Sequence, residues 1–245
     1  MSRVELPMMF NLHHPLNLEV IGPEAQHDNM QSVAYRVIWG FLRKCPASKV
    51  RFCIFDPKEG GGSVRMLSNF VNKMPDSYKK AVTQMSRTEE LLSCLKELEG
   101  QTLDFIRDRP DYDDLLDYNA HNLRRTEAIT LLMLYDFPLN ADARCLELLS
   151  SVMQKGNKCG IYVVLCRNTA VEVASSYDHV DEKLAELEKN CVQIECKENG
   201  FALLPYHLSV RLIEKPDAGQ LEKFAVEYHK AVEKLSAQSI HFEIG

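Results

Sequence analysis

Apolar residues are concentrated in four short and nearly continuous runs along the chain. The runs are LNLEVIG (16–22), KVRFCIFD (49–56), AITLLMLYD (128–136) and GIYVVLC (160–166). Each is rich in leucine or β-branched residues and is bounded by Gly, Pro or Asp, which is typical of strands buried on both faces. The pattern therefore predicts a mostly parallel sheet built around four strands.

Helical patterns alternate with these runs. The segment MQSVAYRVIWGFLRKC (30–45) has apolar residues at helical spacing, and we expect Asp28 or Asn29 to cap its start. The tetrapeptide SRTE (86–89) has the form of a capping box that opens a long helix. A further helix is predicted for ADARCLELLSSVMQKG (141–156), with its final glycine as the C-cap.

The order of strands and helices predicts the fold class. Strands that alternate with helices favour an α/β fold with a doubly wound, mostly parallel sheet flanked by helices. Ligands of such folds bind at the carboxyl ends of the strands. We therefore expect Gly22, Asp56, Asp136 and Arg167 to gather along one edge of the sheet.

The last part of the sequence has a different pattern. VQIECKENGFALLP (192–205) predicts a hairpin, because its Asn-Gly pair supplies the backbone angles of a tight turn. An amphipathic helix is predicted for 217–235, and the tail 239–245 alternates like an edge strand. We therefore divide the chain into a main domain, 1–215, and a C-terminal helix and strand connector, 216–245.

Composition excludes several classes of protein. With 245 residues and 45% hydrophobic content, the chain is long enough to bury a full core. The net charge of −6 argues against a general nucleic-acid binder, so direct DNA contact by this chain alone is not expected. We expect neither a signal peptide nor membrane insertion, since no apolar run approaches the roughly 20 residues of a transmembrane helix.

The cysteines indicate a reducing compartment. The eight cysteines include no C-x-x-C pair, and most lie in apolar runs, as reduced core thiols do. This pattern predicts neither a disulfide framework nor a zinc site, and it favours a cytoplasmic protein.

Residues 20–35, VIGPEAQHDNMQSVAY, have the strand, turn and helix start of a phosphate-binding loop. The pattern G-x-x-x-x-G-K-[ST] uses glycine amides and a lysine to hold phosphates, and a hydroxyl to ligate Mg²⁺. If Gly22 is the first glycine of the pattern, His27 replaces the second glycine, Asp28 replaces the lysine and Asn29 replaces the hydroxyl residue. An anion therefore replaces the cation that should hold a triphosphate.

The charge of Asp28 predicts weak nucleotide binding. A carboxylate a few ångströms from a phosphate is repelled by about 4 kcal/mol at an effective dielectric constant near 20. The helix start would still offer free amides to an anion. Because the repulsion is large enough to remove an ordinary micromolar site, we expect ATP and Mg²⁺ to bind weakly or not at all, and no other cofactor.

Four further segments, together with this loop, resemble the FtsK/SpoIIIE-type P-loop ATPases of the HerA/FtsK branch, which have RecA-like domains. Residues 49–70 resemble the second strand and glycine-rich loop of this predominantly bacterial family, and DYDDLLDYNAHN (111–122) resembles its acidic segment. ITLLMLYDFP (129–138) is similar to the Walker B strand, and KGNKCGIYVVLCRN (155–168) to the sensor strand. The resemblance covers roughly residues 4–215 in the order of the family.

Departures from the family pattern fall on its active-site residues. GPEAQHDN (22–29) stands where GPTGSGKS is expected, so Gly22 and Pro23 are kept and the lysine and hydroxyl are lost. Asp136 matches the Mg²⁺-coordinating aspartate, but Phe137 stands at the catalytic glutamate. The sensor strand ends in Cys-Arg-Asn instead of Thr-Gln. The resemblance thus implies a degenerate site without catalytic residues, where hydrolysis is negligible.

Two other groups of residues have ordinary structural explanations. Asp56 and Lys58 flank a turn before three glycines, which serve backbone geometry or form a partner-contacting loop. The histidines at the same edge lack the i, i+4 spacing of helical metal ligands, so no metal site is predicted. The glycines are Gly60, Gly61 and Gly62, and the histidines are His13, His14 and His27.

The resemblance implies one module of a tandem motor, such as a DNA translocase or a type VII secretion motor. The module would be structural, regulatory or partner-docking, with neighbouring ATPase modules of the same polypeptide or ring, or a secreted peptide, as its partners. It would lie in the cytoplasm as part of a membrane-tethered motor.

Two alternatives remain open. An active translocase module for DNA or polypeptide would show measurable nucleotide affinity despite its unusual site. A small-molecule α/β enzyme would use Asp56, Asp136 and His27 as acid/base groups, and would bring the carboxylates together with shifted pKa values in one pocket.

Overall fold

The computed structural model describes residues 17–45, 49–58, 82–123, 126–171 and 180–210, and six further positions between 219 and 230. The backbone at these six positions is helical, which agrees with the amphipathic helix predicted for this region. Outside the described residues lie the glycine loop Gly60 to Gly62, the histidines His13 and His14, and the predicted edge strand 239–245.

Within the described residues, eight strands form one sheet. The strands are β1 (Asn17–Gly22), β2 (Val50–Phe55), β3 (Val82–Met85), β4 (Ile129–Phe137), β5 (Ile161–Asn168), β6 (Cys191–Lys197), β7 (Gly200–Leu203) and β8 (Leu208–Val210). Their order across the sheet is β3-β2-β4-β5-β1-β6-β7-β8. The six strands from β3 to β6 pair in parallel, whereas β7 and β8 add antiparallel pairs.

Five helices of the described chain pack around the sheet. They are α1 (His27–Lys44), α2 (Thr88–Asp108), α3 (Leu115–His121), α4 (Ala143–Lys155) and α5 (Val180–Lys189). A 3₁₀ turn, Glu24–Gln26, precedes α1, and another, Gly156–Cys159, follows α4. Among the described residues, no helix has both the length and the apolar character needed to cross a lipid bilayer.

The core lies on both faces of the sheet. Helices α1 and α3 cover one face, while α2, α4 and α5 cover most of the other. Successive residues of a strand point to opposite faces, so Leu131 and Met133 enter the first cluster and Leu132 and Leu134 the second. The expectation of an α/β fold with a doubly wound, mostly parallel sheet is confirmed.

The start of α1 differs from the prediction. Gln26 occupies the N-cap position and the helix begins at His27, so Asp28 and Asn29 lie inside the first turn. Neither residue caps the helix, because Pro23 opens a 3₁₀ turn that continues directly into α1. The prediction of a cap at Asp28 or Asn29 was therefore wrong.

The capping box of α2 is displaced by one residue. The carboxylate of Glu90, not that of Glu89, accepts hydrogen bonds from the backbone N–H groups of Ser86 and Arg87, at 2.9 and 3.2 Å. This arrangement satisfies donors at the helix start that no intrahelical carbonyl can reach.

The end of α4 also continues further than predicted. Gly156 is the C-cap but keeps a right-handed φ of −62°, and the chain runs on into the 3₁₀ turn. The left-handed residue is Gly160, with a φ of 75°. A Cβ atom at Gly160 would lie 2.3 Å from Leu115 Cδ2, so glycine is needed where α3 meets the start of β5.

The predicted hairpin is present, as β6 and β7 pair antiparallel with Lys197 opposite Gly200. The sequence analysis missed β3 and β8. Both strands are short, and most of their residues are partly or fully exposed, so they lack the continuous apolar signal of the buried strands.

Candidate functional site

Five side chains meet where the carboxyl ends of β1, β4 and β5 approach the turn after β2. They form the edge cluster, which consists of Glu24, His27, Lys58, Asp136 and Asn168. In the order of strands, β2 to β5 lie on one side of β1, and β6 lies on its other side. Doubly wound folds bind their ligands at the carboxyl ends of the strands where the strand order reverses in this way.

Lys58 supplies the central positive charge of the edge cluster. Its ammonium donates hydrogen bonds to both carboxylate oxygens of Glu24, at 2.9 and 3.0 Å. The same nitrogen lies 3.0 Å from Oδ1 of Asp136. One lysine from the turn after β2 thus links the loop after β1 to the end of β4.

Asp136 is the buried anion of the cluster, with its side chain only 1% exposed. It has a left-handed φ of 49°, in a bulge where the pairing of β4 with β5 shifts between Leu134 and Phe137. Aspartate tolerates this conformation better than most residues. The bulge helps to set the carboxylate beside Lys58 and the amide of Asn168, 3.3 Å away.

Asn168 ties the loops together at the end of β5. Its side-chain amide donates hydrogen bonds to Glu24 and Asp136, and its Oδ1 accepts one from the backbone N–H of Ala170 at 3.0 Å. The next residue, Thr169, donates its N–H to the carbonyl of Gly22 at 3.0 Å. These contacts hold the end of β1 against the end of β5.

Two backbone N–H groups after β1 are hydrogen-bonded within their own turn. The N–H of Gln26 donates to the carbonyl of Pro23 at 2.8 Å, and the N–H of His27 donates to the carbonyl of Glu24. These amides are therefore bonded within the turn and do not point freely at an anion. Gly22 is also closely packed, since an added Cβ would lie 3.3 Å from Met30 Sδ.

The charges of the cluster stabilise one another. The hydrogen bond from Lys58, followed by that from Asn168, lowers the pKa of Glu24 below its usual value. Burial by itself lowers the pKa of Lys58, but its hydrogen bonds to Glu24 and Asp136 outweigh this effect and raise the pKa overall. The cluster therefore favours an ammonium and a carboxylate near neutral pH.

His27 joins the edge cluster on its α1 side. Its Nδ1 lies 3.5 Å from Oδ1 of Asp136, and its Nε2 lies 2.5 Å from Nε2 of Gln31. Glu24, His27 and Asp136 each offer one atom that could ligate a metal, and these three atoms lie within 4.8 Å of one another. The ammonium of Lys58 already contacts both carboxylates of this set. The absence of a metal site stays a prediction.

Other predicted site residues have structural roles near the cluster. Oδ1 of Asp56 accepts a hydrogen bond from the backbone N–H of Lys58 at 3.2 Å, which orients the turn that carries the lysine. The backbone N–H of Asp56 donates to the carbonyl of Met85 at 2.8 Å. The side chain of Asn29 donates to Gln26 at 2.5 Å, within the start of α1.

Arg167 lies at this edge of the sheet, where it pairs with Ile21 and Phe137, but its side chain does not join the edge cluster. Its guanidinium pairs with Glu188 of α5 and lies 3.5 Å from Oε1 of Glu19. Residues 167 and 168 point to opposite faces of β5, so Asn168 reaches the cluster and Arg167 cannot. Burial raises the pKa of Glu19, despite hydrogen bonds from Gln193 and Arg167 that lower it.

Glu24 and Asn168 were not predicted as members of the site. Their signal in the sequence was position, because Glu24 lies in the phosphate-loop segment and Asn168 ends a buried strand. These two residues contact each other although they lie 144 positions apart in the sequence. A local pattern does not show such pairing.

Comparison with known proteins gives structural neighbours only. No protein family description and no curated protein matches this sequence. Three solved structures are similar to the chain. EssC (ATPases 2 and 3) from Geobacillus thermodenitrificans has 13% sequence identity and a TM-score of 0.57, over 91% of this chain and 44% of that one. The cytoplasmic domain of the type VII secretion ATPase EccC from Thermomonospora curvata has 15% identity and a TM-score of 0.53, over 74% of this chain and 20% of that one. The pCW3 conjugation coupling protein TcpA, solved with ATPγS, has 13% identity and a TM-score of 0.53, over 76% of this chain and 50% of that one.

A further similar structure is T. curvata EccC (ATPases 2 and 3) in complex with a signal sequence peptide, at 13% identity and a TM-score of 0.54 over 89% of this chain and 42% of that one. The chain spans between 20% and 50% of the length of the four solved chains. At this low identity, the likeness shows that the chain shares the α/β fold of these structures and nothing more.

Proposed function

We propose that this chain is a degenerate FtsK/SpoIIIE-like ATPase module of a multidomain motor, and that it acts as a structural, regulatory or partner-docking unit. The observation that carries the proposal is the edge cluster. In it, Lys58, Glu24, Asp136 and Asn168 bond to one another at the position where the fold would hold a nucleotide. The module would bind ATP weakly or not at all and hydrolyse it negligibly.

Charge supports this proposal. Glu24 and Asp136 bring two carboxylates to the edge cluster, where Lys58 is already bonded to both, and Asp28 adds an exposed carboxylate in the first turn of α1. A triphosphate would have to displace Lys58 or approach these carboxylates directly. Each uncompensated carboxylate costs about 4 kcal/mol at 4 Å, whereas a micromolar site has a binding energy of about 8 kcal/mol in total.

The backbone supports it as well. A phosphate-binding loop turns several N–H groups toward the ligand. Here the N–H groups of Gln26 and His27 donate to carbonyls of their own turn, Pro23 and Glu24. Binding a phosphate at these amides would require the 3₁₀ turn to open, which adds a further cost.

The fold and its neighbours support a partner-docking role. A rigid parallel sheet that lacks phosphate chemistry keeps a preformed cleft and broad faces for protein contacts. Two of the similar structures contain ATPases 2 and 3 of one polypeptide, and one of these is a complex with a signal sequence peptide. We propose neighbouring ATPase modules and a secreted peptide as the partner classes of this chain.

Calorimetric titration with ATP and Mg²⁺ tests the nucleotide part of the proposal. We expect no saturable heat below about 1 mM ATP, which corresponds to a binding energy weaker than about 4 kcal/mol. Phosphate release should not exceed the buffer blank. Saturation at low micromolar ATP would instead support the alternative of an active translocase module with a non-standard site.

The alternative of a small-molecule enzyme receives partial support at most. His27 and Asp136 do come together, at 3.5 Å, but Asp56 is engaged with the backbone of Lys58. Pairing of Asp56 with the backbone counts against its use as the third acid/base group.

A further inference from the structure

The edge cluster contains atoms that could ligate a metal, but the arrangement of these atoms does not fit a metal ion. Asp136 matches the aspartate that coordinates Mg²⁺ in the family that the sequence resembles. One atom each from Glu24, His27 and Asp136 lies within 4.8 Å of the other two. A divalent ion between them would need oxygen lone pairs at about 2.0–2.2 Å. The carboxylate oxygens of this set instead face nitrogen atoms of the protein.

The ammonium of Lys58 lies between the two carboxylates. Its nitrogen is 2.9 and 3.0 Å from the two oxygens of Glu24, and 3.0 Å from Oδ1 of Asp136. These distances are close to those of charge-assisted hydrogen bonds, and an ammonium has three N–H donors for three oxygens. One lysine thus bridges the two anions that a metal ion would otherwise bridge.

One oxygen of Asp136 is surrounded by donors of the protein. Its Oδ1 lies 3.0 Å from Nζ of Lys58, 3.3 Å from Nδ2 of Asn168 and 3.5 Å from Nδ1 of His27. The side chain is buried, so solvent does not separate these groups from the carboxylate. A cation at ligating distance from this oxygen would have to displace at least the ammonium.

Electrostatics makes the lysine and a metal ion mutually exclusive. A divalent ion and an ammonium repel each other with twice the energy of two unit charges at the same distance. The lysine also belongs to the same chain, whereas an ion must be taken from solution and must lose water before it binds. The edge cluster therefore holds one of the two cations, and the attached one has the advantage.

We propose that Lys58 is a built-in cation that takes the place of the metal ion at the edge cluster and excludes divalent ions from it. The inference rests on the proposed function of a degenerate module and names the residue that keeps its site closed. A bound ion can leave with a nucleotide, whereas a lysine on the turn after β2 stays attached. The loop after β1, this turn and the end of β4 therefore keep one arrangement whatever the concentration of Mg²⁺.

Titration with Mn²⁺ in nucleotide-free buffer tests the proposal. Carboxylates are suitable ligands for Mn²⁺, and the electron paramagnetic resonance signal of the free ion falls when the ion binds. We expect the wild type to show no saturable binding below about 1 mM. Lys58→Met should bind one ion per chain, at least about tenfold more tightly than the wild type. A folded Lys58→Met protein that binds Mn²⁺ no better than the wild type overturns the proposal.

Two control variants separate the position of the charge from the loss of a lysine. Lys58→Arg keeps a cation in the cluster, and Lys96→Met removes an exposed lysine from α2. Both should bind Mn²⁺ as weakly as the wild type. Asp136→Asn in the Lys58→Met background should remove the ion again. If Lys96→Met gained the same affinity as Lys58→Met, the change in net charge would be the cause and the proposal would be wrong.

The wild type alone can also contradict the proposal. Saturable binding of one Mn²⁺ below about 1 mM by the folded wild type or by Lys58→Arg would show that the lysine does not exclude the ion, whether or not Lys58→Met folds. The ATP titration reports separately on the proposed function. Wild-type protein that saturates with ATP but not with Mn²⁺ would refute the degenerate module and keep the built-in cation, and the reverse result would do the opposite.

Discussion

The ammonium of Lys58 lies 3.0 Å from the carboxylate of Asp136, whose side chain is 1% exposed. A buried carboxylate is costly unless a cation or hydrogen-bond donors compensate it. Lys58 provides this charge from the turn after β2, where Asp56 orients its backbone. The pair therefore links two carboxyl ends of the sheet at the centre of the edge cluster.

Replacing Lys58 with methionine should destabilise the chain by about 1–2 kcal/mol. The value is smaller than that for a fully buried pair, because the lysine side chain is 37% exposed and water screens part of its charge. The free energy of unfolding, measured by urea denaturation at neutral pH, checks this prediction.

A double-mutant cycle separates this charge effect from the loss of packing. Asp136→Asn in the Lys58→Met background should recover part of the lost stability, since a neutral amide no longer needs a cation. Lys96→Met on the exposed side of α2 is the matched control and should change stability by less than about 0.5 kcal/mol. If Asp136→Asn changed the free energy of unfolding equally in the wild type and in the Lys58→Met variant, the two residues would not be coupled.

Hydrophobic patterning predicted the central strands well because β1, β2, β4 and β5 are largely buried and most of their side chains are apolar. It missed β3, whose VTQM sequence is half polar and whose side chains are mostly exposed. A sheet's interior therefore follows from the sequence, whereas a short strand beside it depends on pairing with a distant partner.

The candidate site could be predicted less completely. Gly22, His27 and Asp136 were found because a loop pattern and strand ends mark them, and Lys58 was found only as part of a turn. The choice of Asn168 over Arg167 depends on which face of β5 each side chain takes. Burial patterning does not decide this where a strand ends, since both of its faces are covered.

Replacing Asn17 with leucine should cost roughly 3 kcal/mol of stability. Asn17 is 1% exposed at the start of β1, where its amide donates to the carbonyl of Met153 at 3.0 Å and its oxygen accepts the N–H of Val163 at 3.1 Å. Leucine would leave these buried groups without their partner, at about 1–3 kcal/mol each. Chemical denaturation gives the value.

The control for Asn17 is Asn119→Leu. Asn119 makes two hydrogen bonds to the backbone, both with Glu127, but these bonds are exposed, so water can replace them. We expect a loss below about 1 kcal/mol for this variant. If both variants lost the same stability, burial of the Asn17 contacts would not be the reason for the effect.

Replacing Glu90 with alanine should remove an acid-dependent part of the stability. Hydrogen bonds from the backbone of Ser86 and from Arg87 lower the pKa of Glu90 from 4.5 to about 2. Because the folded pKa is depressed, this stabilisation is present above pH 4.5 and is lost as the pH falls toward 2. Melting temperatures of the variant should therefore vary less with pH in this window than those of the wild type.

The neighbouring substitution, Glu89→Ala, tests which glutamate closes the capping box. Glu89 is the residue at the capping position by sequence pattern, but Glu90 accepts the hydrogen bonds. Glu89→Ala should leave the pH dependence of the melting temperature between 2 and 4.5 close to that of the wild type. A loss of this dependence in Glu89→Ala instead would contradict the observed geometry.

Replacing Gly160 with alanine should destabilise the chain by more than about 2 kcal/mol. Its φ of 75° disfavours any other residue, and the new Cβ would lie 2.3 Å from Leu115 Cδ2, so the buried Leu115 side chain would have to move. Gly100→Ala in α2 is the matched control, because its Cβ would meet nothing within 4 Å. Alanine is the better helix former, so the control should gain about 0.5–1 kcal/mol. Opposite signs of the two changes in denaturation experiments would confirm the role of Gly160, and equal signs would contradict it.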